Sequence, residues 1–156
     1  MYESPEQGYS FRYIKTWKID TQGSLTVLTD PAKPNVTKTA TGLEKLGQSD
    51  VAISTVLYAG IIITTPGITY IGPTFAPHDQ QVEDLATQLA FGNKILPTTV
   101  NGLAGYVAVT TKEGGSTYNI LLQGSKNMLL IQLIGKKSRL ELNRGQSIVL
   151  ESIVEL

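Results

Sequence analysis

Cysteine is absent from this 156-residue chain, and histidine and tryptophan occur once each. Without thiols there is no disulfide scaffold and no thiolate metal site. A single histidine, His78, leaves the usual metal and acid–base chemistries little to work with. Charge is scarce too. Charged residues make up 17% of the chain, below the common value of about 25%, and thirteen basic residues balance thirteen acidic ones. That balance argues against a general nucleic-acid binder, whose affinity depends on a basic surface. Long apolar runs are missing as well. The stretch Val51–Ile63 is interrupted by Ser54, Thr55, Tyr58 and Gly60, and falls short of the roughly 20 residues a membrane helix requires. The polar start Met1-Tyr-Glu-Ser-Pro-Glu-Gln does not read as a signal peptide.

What is present is a chain 41% hydrophobic, apolar enough to escape disorder and long enough to bury a core as one domain. Thr, Ser, Gly and Asn are plentiful. A hydroxyl-rich, weakly charged surface is frequent in exported proteins. The expected setting is therefore the cell envelope, with any membrane tether lying outside the given chain; a cytoplasmic location is the alternative.

Periodicity supplies the elements. Tyr9, Phe11 and Tyr13 alternate with Ser10, Arg12 and Ile14, which predicts a strand, and Trp17–Ile19 and Leu25–Thr29 read as two more. Prolines at 31 and 34 break the pattern into a loop, and Thr41–Leu46 reads as a short helical turn. Alternation returns over Val51–Thr65, with a bend at Gly60, and Ile68–Ile71 follows as a short strand. Val82, Leu85, Ala86, Leu89 and Ala90 follow helical spacing, which predicts a helix capped by Asp79 and stopped by Gly92-Asn93. Ala104–Thr111, Thr117–Gln123 and Met128–Ile134 form a meander, the last strand apolar on both parities and so covered on both faces. Ser147–Val154 reads as a final helix capped by Ser147. The whole is a single α+β domain over residues 1–156, with 1–7 as a flexible start.

Three landmarks resemble a known family. Gly8-Tyr9-Ser10-Phe11-Arg12-Tyr13-Ile14-Lys15-Thr16-Trp17 is similar to the opening of PsbP-like domains, although Ile14-Lys15-Thr16 stands where that family often has a proline. Val100-Asn101-Gly102-Leu103-Ala104-Gly105-Tyr106 is similar to the step into the family's second half, and Ile148–Ile153 to its last helix. The resemblance implies an α/β/α sandwich around a central antiparallel sheet. It also implies a protein that binds or scaffolds rather than catalyses.

The possible sites are few. His78, Asp79 and Glu83, with Asp84, form the one cluster with metal-ligating chemistry, but helix capping and dipole compensation explain the acids equally. Tyr70, Phe75 and His78, in and after the Pro/Gly-rich segment, are the residues expected to contact a ligand or partner through the 72–79 loop. Gly145-Gln146-Ser147-Ile148-Val149 lacks the second glycine of a nucleophile elbow. Lys136, Lys137, Arg139 and Arg144 read as a solvated edge. The expectation is a non-enzymatic domain with no cofactor and a protein partner; a small-molecule or metal-binding protein, or an enzyme with an unrecognised site, are the alternatives.

Overall fold

The computed structural model describes residues 1–31, 51–58, 63–65, 68–70, 76–112, 115–135 and 142–156. Its elements are β1 (Tyr2–Ser4), β2 (Tyr9–Phe11), β3 (Lys18–Gln22), β4 (Leu25–Thr29), β5 (Val51–Leu57), β6 (Ile63–Thr65) and β7 (Ile68–Tyr70). There follow α1 (His78–Leu89), β8 (Leu96–Val100), β9 (Leu103–Lys112), β10 (Gly115–Gln123), β11 (Asn127–Gly135), α2 (Arg144–Ser152) and β12 (Val154–Glu155). The expected turn at Thr41–Leu46 and the bend at Gly60 lie outside the described residues.

Seven strands form one antiparallel sheet in the order β3-β4-β5-β11-β10-β9-β8. A smaller sheet has the order β1-β2-β12, and β6 pairs with β7 as a separate hairpin. The large sheet places its apolar strands at the centre, where both faces are covered. Ile120, Leu122, Leu129, Ile131 and Leu133 pack on one side with Leu28, Val51 and Ile53. That cluster also takes in Tyr9 and Phe11 of the small sheet, Val149 of α2, and Trp17. The alternate residues Leu121 and Met128 meet Val82 and Ala86 of α1 on the other side. Each buried Leu or Ile contributes roughly 2 kcal/mol by leaving water.

The protein is therefore mostly β, and the expected α/β/α sandwich is not its architecture. Helix number gives the physical reason. One helix is about 10–12 Å wide, while seven strands span about 29 Å, and α1 and α2 are the only helices among the described residues. Neither helix can roof the sheet. The opening strands and the last residues instead supply a second sheet over one face, closed by Leu156 N–H donating to Gly8 O at 2.8 Å. Tyr2–Ser4, within the stretch read as a flexible start, is β1 and pairs with β2. No helix among the described residues is long and apolar enough to cross a membrane.

A hydroxyl network joins the two sheets. Tyr9 donates to Thr26 Oγ1 at 2.9 Å in the core, where both residues are buried, and Tyr2 stacks on Phe11 with ring centroids 5.0 Å apart. Burial pushes the Tyr9 phenol up to about 12 from 10.0. A raised phenol pKa means that folding favours the protonated form. Its stabilisation is complete below pH 10 and is lost as pH rises through 12. Urea midpoints should fall more steeply from pH 10 to 12 in the wild type than in Tyr9→Phe. Below pH 10 that variant should be less stable by about 1 kcal/mol, through loss of one buried hydrogen bond. Parallel pH profiles for the two proteins would refute the assignment.

The helix boundaries differ from expectation. α1 begins at His78 with Pro77 in the capping position and no side-chain cap, so Asp79 lies inside the first turn rather than at the N-cap. Proline tolerates that end because the first turn leaves its N–H groups unbonded anyway. At the other end Thr110 Oγ1 donates to Leu89 O at 3.2 Å. α2 is capped by Asn143, not Ser147. The Asn143 side chain accepts from Gln146 N–H at 2.9 Å, and the Gln146 side chain accepts from Asn143 N–H at 3.2 Å. Such a reciprocal cap is worth about 1 kcal/mol. Ser147 belongs to the helix ladder, its N–H bonded to Asn143 O.

Candidate functional site

α1 lies on β9 and β10 with its buried residues Val82 and Ala86 facing the sheet. Among the described residues β8 is the edge strand beside them. Between the start of α1 and β8 a groove of about 240 Å³ opens. Its floor is Ala104, Gly105 and Tyr106 of β9, Asp79 and Val82 form the helical wall, and Pro97, Thr98 and Thr99 form the strand wall. Gln123, at the end of β10, closes one end. A second recess, between the two sheets and bordered by Gly8, Leu103, Met128 and Glu155, offers about 20 Å³. That is room for one water. The groove is the larger of the two.

Its lining is mostly apolar, with the polar groups of Thr98, Thr99, Gln123 and Tyr106 and the single carboxylate of Asp79 set into it. The Tyr106 hydroxyl donates to Glu83 Oε2 at 3.5 Å. Desolvation, then the carboxylates of Glu83 and Asp79, push this phenol above its ordinary range. Asp79 Oδ1 also accepts from Gln80 N–H at 3.0 Å, which fixes the carboxylate at the mouth of the helix. Asp84 instead turns along the helix and accepts from Gln80 Nε2 at 2.9 Å. No Lys, Arg or His occurs among the described residues that line the groove.

His78 stands at the mouth of the helix. It is the first residue of α1 and stacks on Tyr58, with ring centroids 3.6 Å apart and planes within 3°. Tyr58 donates its hydroxyl to Gly124 O at 2.6 Å, and burial, then the Glu155 carboxylate, push its phenol up to about 12. Glu155 in turn accepts from Ser125 N–H at 2.6 Å and from Ser125 Oγ–H at 2.8 Å. The histidine thus clamps the start of α1 to the end of β5. Among the described residues no three of His, Cys, Asp and Glu come together as a metal set, so His78, Asp79 and Glu83 do not form one. Tyr70 pairs with Ile63 in the β6–β7 hairpin. Phe75 lies outside the described residues, as do Lys136, Lys137 and Arg139. Arg144 is the first residue of α2 and is exposed.

Of the residues expected from sequence to contact a ligand or metal, Asp79 lines the groove and Glu83 reaches its Tyr106 hydroxyl. Thr98 and Thr99 were missed because β8 was missed, Pro97 hiding it from any strand pattern, while Tyr106 and Gln123 lie in expected strands that nothing local marks as a site. The available signal was Asn101-Gly102. Both residues take positive φ, 49° and 85°, the two-residue turn that joins Val100 to Leu103. Asn101 has a second task, donating from Nδ2 to Ile153 O at 2.7 Å and so satisfying the end of α2.

No family model and no curated protein matches the chain. A crystal structure from Bacteroides thetaiotaomicron VPI-5482 is similar in fold, with a TM-score of 0.56 at 8% identity. The likeness covers 95% of this chain and 45% of that one, so the chain spans less than half the length of its neighbour. At that identity the likeness concerns the fold alone.

Proposed function

We propose that the chain is a non-enzymatic binding domain that holds a partner in the groove between α1 and β8. The observation that carries this reading is the groove itself: about 240 Å³, open to solvent, beside an edge strand. Its walls offer hydroxyl, amide and carboxylate groups, which orient a ligand by hydrogen bonds. The one histidine is engaged with Tyr58, outside the groove lining. The weakly charged, hydroxyl-rich composition supports an exported or membrane-tethered setting for such a domain.

Amide NMR mapping tests the reading with two probe classes, short random-sequence peptides and monosaccharides. At least one class should shift Thr98, Thr99, Gly105, Tyr106 and Gln123 in a saturable manner. Ala104→Phe, at an exposed floor position, should fill the groove and abolish those shifts without unfolding the chain. Silence from both classes at millimolar concentration, or shifts confined elsewhere, would overturn it.

A further inference from the structure

We propose that the partner is an extended peptide segment carrying a lysine or arginine. Its main chain pairs with β8 at Thr99, and its basic side chain enters the groove between Asp79, Glu83 and Tyr106. This inference rests on the binding reading above and names its ligand.

The edge strand comes first. The two-residue turn at Asn101-Gly102 makes Val100 and Leu103 a hydrogen-bonded pair. Thr98 and Leu96 therefore also direct their main-chain groups to β9, while Thr99 and Pro97 direct theirs outward. Pro97 has no N–H to offer. Thr99 thus presents the outward N–H and C=O together, and Pro97 adds one carbonyl. A long flat edge would invite unlimited pairing; this one admits a short segment in a single register.

Register then decides where the partner's side chain goes. Thr99 is opposite Ala104, on the same face as Tyr106 and α1. Residues paired directly across two strands share a face. The peptide residue hydrogen-bonded to Thr99 therefore raises its side chain on the groove's face of the sheet, where a long side chain reaches over Thr99 into the groove. At about 240 Å³ that space is below the roughly 300–1,000 Å³ of drug-sized sites. It suits one long side chain.

Charge decides which side chain. Asp79 and Glu83 are four residues apart on α1 and so neighbours on one helix face, where like charges repel. The Tyr106 hydroxyl meets Glu83, and among the described residues that line the groove no basic one compensates the pair. A lysine or arginine supplies the missing charge, and its methylene stem lies over Val82 and Pro97.

The test uses capped six-residue Ser/Thr peptides, acetylated and amidated, that differ only at one central residue: lysine, arginine, norleucine or glutamate. Binding is read by amide shifts at Thr99 and Tyr106. Lysine and arginine peptides should bind, norleucine about tenfold more weakly, and glutamate not at all. Asp79→Asn with Glu83→Gln should abolish the lysine preference, and N-methylation of the central residue should abolish binding by removing one of two bonds to Thr99. Equal binding of lysine and norleucine overturns the basic specificity, and indifference to N-methylation overturns strand pairing. Groove shifts from monosaccharides alone overturn this inference and leave the binding reading intact. Silence from every probe overturns both.

Discussion

Gly105→Ala is expected to destabilise the protein by about 3 kcal/mol, the upper end for overpacking a filled interior. A Cβ at this position would overlap the Leu121 carbonyl oxygen and come within 2.8 Å of Leu121 C and 2.9 Å of Leu122 Cα. All three are main-chain atoms of β10, a strand paired on both sides, with Leu121↔Tyr106 towards β9 and Leu121↔Leu130 towards β11. No flexible side chain can swing away. Either β9 retreats from β10, or the Leu122↔Gly105 pairing is lost. Removing a glycine from a strand would otherwise stabilise by about 0.4–1 kcal/mol, because the unfolded chain loses freedom. The two effects have opposite signs, so the measurement is decisive. The urea midpoint should fall with the slope unchanged; a midpoint equal to or above the wild type would show that β9 moves freely. The same close approach forms part of the groove floor, so the site depends on a glycine that no site pattern would select.

Much of the fold was legible because its signals are local. Leu25–Thr29 is a strand at the boundaries its alternation gives, and the two-sided apolar run Met128–Ile134 is the centre of the sheet. Val82 and Ala86 are buried on the face that helical spacing selects. The layer architecture was not legible. Whether the ends of the chain form a helical roof or a second sheet depends on Tyr9–Ser10 meeting Val154–Glu155, residues about 145 positions apart. Capping misled for a related reason. Asp79 and Ser147 are both good cap residues, but Pro77 and Asn143 precede them at the true starts, and the Gln146 side chain completes the box.

The site was legible only in part. His78 drew attention because its chemistry is versatile, and its ring is stacked within 3° on Tyr58. The groove has no local signature. It exists because α1 sits over β9 and β10 while β8 adds one more strand beyond them. Asp79 and Tyr106 lie 27 positions apart, and only the crossing of helix and sheet brings them to one cavity. Tyr106 reads as one residue of a meander, and nothing in the pattern around Thr99 marks a strand.

Trp17→Ala is expected to cost about 4 kcal/mol, within the range for truncating a buried aromatic. Trp17 is 7% exposed and belongs to the larger core cluster. Its ring lies against Gly145, the second residue of α2, where a Cβ would overlap the indole at Cζ2 and Cη2. Helix propensity alone would make Gly145→Ala favourable by up to about 1 kcal/mol. The contact reverses that sign, because the ring must leave its bed or α2 must lift from the sheet. We expect a net loss of about 2 kcal/mol. The two residues should then be coupled: in the Trp17→Ala background the ring is gone, and Gly145→Ala should be neutral or stabilising. A double-mutant cycle in urea measures this directly, and the lone tryptophan supplies a second readout. Its emission should shift to the red in Gly145→Ala, as the indole moves towards water. Additive effects with unchanged emission would mean that the ring does not depend on Gly145, and that the opening strand is anchored to α2 by Ser152 instead, whose hydroxyl accepts from Arg12 N–H at 2.8 Å.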